Sequence, residues 1–311
     1  MAWRAGVVLV LGMLVAALAA WSGDAATRQA TQTLVFDEVV IGSFVDKPPT
    51  GPSPGDKELL PAKLFDAGGR FVGTTRGTCL FTKVIPNDVL EQCSGSVKTS
   101  EGTVSLAGVG HLHSMDPPSQ AIGRSGAYKG MHGAVVSTYI PSDPNVPLAA
   151  GRSFIVSVIE VTGSHRLHIG VVPRPAGNAD FIRSANAACH ATEAKAARLP
   201  QFSFSNFDPF HPDKKLLPQV GRFFDQPSRR LLPSALLQEL QKLGQPPQSS
   251  PAWNDLLTAR RATIMNEAKQ IKAALAGNAS AFVRSVYQQS RSYNNVVFKS
   301  AVFGVQSCTF T

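Results

Sequence analysis

The sequence predicts a two-domain β + α protein, an antiparallel β-structure followed by a small α-helical bundle. Three observations carry that reading. Residues 33–162 hold a succession of segments rich in β-branched and aromatic residues, with no convincing long helix among them. From about residue 179 the apolar period changes to that of a helix. The chain has 311 residues, 43% hydrophobic and 16% charged, a balance that builds a core and excludes a disordered polymer.

The strand segments read, in order, TLVFDEVVIG, FVGTTRGTCLFTKV, GTVSLAGVGHLH, GAVVSTYI and SFIVSVIEV, separated by Gly, Pro, Asp and Ser. Strands in this number without crossover helices make an antiparallel barrel or sandwich. DKPPTGPSPGD, residues 46–56, is a loop, because its prolines have no N–H to give a ladder. Residues 163–178 read as a last short strand and then a linker, and 179–311 as the helical domain.

In the helical part a first helix is expected over 179–198. Leu232, Leu236, Leu240 and Leu243 then recur at helical spacing, as do Leu257, Ile264, Ala268, Ile271 and Leu275, and Phe282, Val286, Tyr293 and Val297. Pro251 suits a first helical turn, Gly277 with Asn278 makes a stop, and Asn278 or Ser280 caps the helix after it. Prolines between 200 and 251 divide the connections.

Residues 1–26 combine Arg4, an apolar run over 5–21 and a small-residue stretch ending at Ala26. This is the pattern of a signal peptide, or of an uncleaved N-terminal anchor. It predicts a secreted or cell-envelope protein. The net charge of +9 is concentrated late: 16 Lys and Arg against 8 Asp and Glu from residue 175 onward, but 13 against 12 over 27–174. The basic C-terminal domain reads either as a solvated helical face or as one that meets a membrane or other anionic surface. Nothing in the sequence points to nucleic acid.

Four cysteines in an oxidising compartment make two disulfides by default. With the turn IPND centred on Pro86, Cys79 and Cys93 lie seven residues to either side and face each other across a hairpin. The expectation is a staple rather than a working thiol. The same face carries Phe71, Gly73, Thr75, Gly77 and Phe81 and is read as the interior. Cys189 and Cys308 are left to join the start of the helical domain to its end.

The runs GDKELLPAKLFDAGGRFVGTTRGTC, CSGSVKTSEGTVSLAGVG and AIGRSGAYKGMHGAVVSTYI resemble the allene oxide cyclase barrels and, in part, the plant dirigent proteins. The resemblance covers residues 33–162. It implies an eight-stranded antiparallel barrel with a mostly apolar lumen, and trimers in the family. It also implies an acid on the first strand, which falls on Asp37 or Glu38; alternation along VFDEV does not choose between them. The family's asparagine falls on Ala62, which cannot act as an amide, and its cysteine falls on Cys79. Gly126, Gly130 and Gly133 are read as turn and kink positions where the barrel closes.

The remaining signals are weaker. His111 and His113 are expected on the outside of their strand, opposite Val104, Leu106 and Leu112. Asp66 and Glu91 read as surface or turn residues. No cysteine spacing supports zinc, and no nucleotide or haem motif occurs, so neither metal nor cofactor is expected. The sequence thus predicts an exported barrel that binds a small hydrophobic ligand, with Phe36, Phe71 and Phe81 on the lumen wall. The alternatives are an isomerase or cyclase that uses Asp37 or Glu38 on a reactive apolar substrate, and a structural envelope protein.

Overall fold

A computed structural model describes residues 29–85, 88–111, 119–140, 152–172, 176–200, 207, 209 and 212–305. The N-terminal apolar run, the hairpin turn at 86–87, His113 and Cys308 lie outside the described residues. Nine strands form one antiparallel sheet: β1 (Ala30–Ile41), β2 (Ser43–Val45), β3 (Lys57–Phe65), β4 (Phe71–Ile85), β5 (Asp88–Thr99), β6 (Gly102–His111), β7 (Ser119–Gly126), β8 (His132–Ile140) and β9 (Arg152–Gly163). Consecutive strands pair from β3 to β9, β9 pairs with β1, and β1 pairs back onto β3. Eight strands therefore close a barrel, as expected, with β2 a short continuation of β1 along β3. Closure leaves no long open edge.

Two of the glycines expected at closure positions, Gly126 and Gly130, have φ of +61° and +79° in the β7–β8 turn, where an L side chain would be strained. A Cβ on Gly133 would lie 1.7 Å from the Glu160 carbonyl oxygen, so only glycine lets β8 run this close to β9. The motif acids Asp56 and Asp66 are turn pins. Asp56 accepts from the backbone of Lys47 and Ser53, and Asp66 from the backbone of Gly68 and Arg70.

After β9 the chain stays on the barrel. Gln32 on β1 holds both His165 and Leu167, Gly170 accepts from Val35, and Val172 donates to Thr33. This segment covers the part of β1 that β3 leaves unpaired. Five helices of eight residues or more follow among the described residues: α1 (Ala179–Ala196), α2 (Leu217–Phe224), α3 (Leu232–Lys242), α4 (Ser250–Leu275) and α5 (Ala279–Phe303), with a single turn at Pro227–Arg230. The proline-divided stretch thus contains a helix that periodicity did not reveal. Pro218 opens α2, where a missing N–H costs nothing. Asn278 caps α5 by accepting from Ala281 N at 3.0 Å, and Gly304 ends it with φ +95°.

The helices share a core built on Trp253, Leu236, Leu240, Cys189 and Phe303. Phe181 and Phe303 pack around Trp253 at ring separations of 4.8 and 5.1 Å. Cys189 is disulfide-bonded, and its expected partner Cys308 lies outside the described residues. Two expected core positions on α4 face out: Ala268 is exposed and Leu275 is 40% exposed. The reason is that α4 buries the face of Leu256, Ala259, Thr263, Ile271 and Ala274, offset from the stripe read in the sequence.

α5 is buried on two sides. Phe282 and Val286 face α2 and α4, while Val297 and Phe298 pack on Val35, Val156 and Val172 of the barrel segment. The long C-terminal helix therefore docks the helical region onto the outer wall formed by β1, β8 and β9.

Candidate functional site in the barrel lumen

Strand alternation and register decide what the lumen contains. On β1, Leu34, Phe36, Glu38 and Val40 point one way, and Val35 and Asp37 the other. Leu34 and Phe36 pack with Leu64 of β3, Val97 of β5, Val104 of β6, Ala121 of β7 and Ile159 of β9. A cluster drawn from all round the ring is the barrel interior. Val35 instead belongs to the cluster that meets α5. Glu38 is therefore lumenal and Asp37 is not, which resolves the two readings of VFDEV.

The two halves of the lumen differ. Around the β7–β8 turn, Leu34, Phe36, Tyr128, Met131 and Ile159 are at most 1% exposed, so this half is filled by side chains. In the other half, inward-facing Leu60, Gly77, Gly95 and Ile155 keep partial exposure, and Ser137 is exposed although its ladder partner is the buried Ser157. Inward-facing residues that still meet solvent mark an open recess. Its floor is the filled half.

Glu38 faces the lumen and is itself buried, 3% exposed. Ser157 donates a hydrogen bond to Glu38 Oε1, and the Ser157 and Ser137 hydroxyls are 3.0 Å apart. A carboxyl–hydroxyl–hydroxyl chain thus leads from buried Glu38 to exposed Ser137. Burial pushes the Glu38 pKa up; the Ser157 hydrogen bond and the nearby Thr75 hydroxyl oppose this, and the neighbouring Asp37 charge adds to the rise. The carboxyl is therefore inclined to keep its proton. A neutral carboxyl can donate a hydrogen bond to a ligand oxygen, or a proton to a reacting one.

Cys79 and Cys93 are directly opposed and disulfide-bonded, as expected; the extra residue Thr82 sets this register, since Ile85 pairs with Asp88 at the turn. Glu58 pairs with Cys79, and Phe81 with Glu91, so both glutamates face inward beside the bridge; they are 2% and 7% exposed. Glu91, expected at the surface, is thus a lumenal acid. Its carboxylate lies within 4.8 Å of both sulfurs, but disulfide sulfurs are not thiolate ligands, so the trio does not make a metal site. Phe81 is lumenal and 1% exposed, with Phe44 against it at 5.5 Å. Ala62, at the family's asparagine position, is also inward and opposes Thr75.

Phe71 does not share this face. It is 59% exposed and packs edge-on against outward Phe65. The cause is a bulge: Leu64 pairs with Gly73 but Phe65 with Phe71, so Val72 is an extra residue and takes the inward position. Asp37 lies on the outside of β1, 8% exposed, and accepts from Arg291 at 3.0 and 3.3 Å and from Asn294 at 2.7 Å. On β6, Val104 is buried while Val109 is 59% exposed, which matches the expected faces; the side chain of His111 is not described. The sequence reading missed Ser137, Ser157 and Glu58. Only the alternation of SFIVSVIEV could have placed Ser157 opposite Phe36.

The allene oxide cyclase barrel like family model matches residues 37–147. No curated protein matches. Among solved structures, a nonspecific heme-binding cyclase of neoabyssomicin biosynthesis is 19% identical, with 46% of this chain and 68% of that one covered and a TM-score of 0.35. The Diels Alderase AbmU from Streptomyces koyangensis is 16% identical, with 56% and 86% covered and a TM-score of 0.36. A pyocyanin demethylase is 18% identical, with 42% and 99% covered and a TM-score of 0.32. The helical region from residue 179 onward lies outside the family match. Over residues 37–147 the barrel is thus similar to the allene oxide cyclase barrels, on a chain that adds a helical region to it.

Proposed function

We propose that the protein is an exported barrel that binds one small, mainly apolar ligand in the open half of its lumen, with Glu38 as the polar handle. The observation that carries this is the half-filled lumen: apolar and glycine positions that still meet solvent share the inner face with three buried carboxyls, of which Glu38 is linked through Ser157 to Ser137. An eight-stranded barrel leaves room for one small ligand. Phe81 and the Cys79–Cys93 bridge supply part of the wall. The test is to extract protein purified from several expression backgrounds and identify bound molecules by mass spectrometry, beside a Glu38→Gln variant. A ligand retained by the native protein and depleted in the variant supports the reading. No bound molecule from any background counts against it.

One observation favours a second reading, an isomerase or cyclase. Burial raises the Glu38 pKa, which favours the proton-donating form, and the hydroxyl chain offers a route to replace that proton. On this reading Glu38 polarises a substrate oxygen while the apolar wall folds the chain for ring closure. Turnover unchanged in Glu38→Gln would remove it.

The basic helical region is proposed to lie against an anionic envelope surface, through exposed Lys214, Lys215, Lys269 and Lys272. Co-sedimentation with phosphatidylglycerol vesicles but not with phosphatidylcholine vesicles is the expected result; equal recovery with both would contradict it.

A further inference from the structure

We propose that Arg291 and Asn294 of α5 are positioning residues for Glu38: by holding Asp37 on the outer face of β1, they fix where the lumenal carboxyl stands on the inner face. This gives the helical region, which has no part in the family match, a role in the barrel's site. It rests on Glu38 being the polar handle of the lumen.

The geometry is direct. Asp37 and Glu38 are consecutive, so their Cα atoms are about 3.8 Å apart across a trans peptide. A side chain clamped on one face of a strand limits how far the next residue can move or slip. The clamp is a two-nitrogen Arg291 grip at 3.0 and 3.3 Å plus the fully buried Asn294 amide at 2.7 Å. Val297 and Phe298 of the same helix pack on Val35 and Val156 beside it, so the clamp is mounted on a rigid contact. Paired charge and amide make the strongest kind of hydrogen-bonded anchor for a carboxylate. Removing either donor leaves a carboxylate in a nearly buried position.

The clamp also acts through charge. The groups that act on Glu38 are Ser157 of β9 and Thr75 of β4, inside the barrel, and the charge of Asp37 on the opposite face of its own strand. Glu58 and Glu91 are the other inward acids, on β3 and β5. Asp37 alone among these pushes the Glu38 pKa up by its charge, and Arg291 is the cation that offsets Asp37. The two partners of the clamp should therefore affect Glu38 in opposite directions, which a merely structural link would not do.

The test is a pH titration of the Glu38 carboxyl by 13C NMR, on the full chain without ligand, with the resonance assigned by its loss in Glu38→Gln. Arg291→Met is expected to move the Glu38 titration to higher pH by about half a unit or more, and Asn294→Ala to move it the same way by less. Asp37→Asn is expected to move it to lower pH, and Arg291→Lys to restore the native value to within a few tenths of a unit. Titrations that stay unchanged in all four variants, or that fall together as water enters a loosened wall, would overturn the proposal. Because no ligand is present, this result stands apart from whether Glu38→Gln loses a bound molecule.

Discussion

Asp37 and Glu38 are neighbours in the chain and stand on opposite sides of the barrel wall. Asp37 is gripped from outside by Arg291, 254 residues away in sequence, while Glu38 is bonded to Ser157 within. One strand therefore links the interdomain contact to the lumen, and the predictions below test what stands on each side of it.

The first concerns Glu38 and pH. Its folded pKa lies above the ordinary glutamate value, so the folded state holds a proton that the unfolded chain has released. That contribution is fully present below the unfolded value and is lost as pH rises through the folded one. Native protein should lose urea resistance as pH rises out of the acid range, and Glu38→Gln should flatten that part of the curve. Parallel curves for the two proteins would contradict the burial argument.

Glu267 offers a second, separable pH effect in the helical region. Burial pushes its pKa up from 4.5 to about 7. The sign is the same as for Glu38: stability is full below pH 4.5 and falls through pH 7. Glu267→Gln should gain on the order of 2–3 kcal/mol at pH 8 relative to its difference from native at pH 4. A difference that does not vary with pH would show that this carboxyl is solvated.

The bulge at Val72 makes a contrast between two phenylalanines that sequence parity treats alike. Phe81 is 1% exposed and Phe71 59%. Phe81→Ala should cost ~3–5 kcal/mol by leaving a cavity in the lumen wall. Phe71→Ala should stay within about 1 kcal/mol, losing only its edge contact with Phe65. Chemical denaturation of both variants decides, and equal losses would place Phe71 inside.

The Cys79–Cys93 bridge spans 14 residues of hairpin. In the chain-entropy account a loop of that size stabilises by ~3 kcal/mol. The double alanine variant should fall by that order in urea denaturation under non-reducing conditions. A loss below about 0.5 kcal/mol would mean that barrel closure alone sets the hairpin.

How much of this was legible in the sequence varies with how local the cause is. The Cys79–Cys93 pair was readable because both residues lie on one hairpin, but the count from Pro86 was not the cause: Ile85 pairs with Asp88 at the turn, and the extra residue Thr82 brings the two cysteines opposite each other. The long helices were readable from their apolar spacing, and the barrel from the ordered glycine and acid motifs. The Asp37–Glu38 choice was not readable, since both faces of β1 are buried, one by the lumen and one by α5. Alternation separates two faces but cannot say which of two buried faces is inside. The single inserted residue at Val72 reversed the parity of Phe71, and no residue type there announces it. Glu91 was taken for a surface acid although it lies two residues before Cys93 on β5, so the alternation that put Cys93 inside puts Glu91 there too, opposite Phe81.

The most direct test of the lumenal site is a binding titration with a small apolar fluorescent probe against native protein, Glu38→Gln and Ser137→Trp. Ser137 is exposed at the open half and faces inward, so an indole there blocks the recess without disturbing the filled core. The account predicts one saturable site in the native protein, weakened in Glu38→Gln for probes that carry a hydrogen-bond acceptor and abolished in Ser137→Trp. Undiminished binding in a folded Ser137→Trp would contradict the lumen as the binding site.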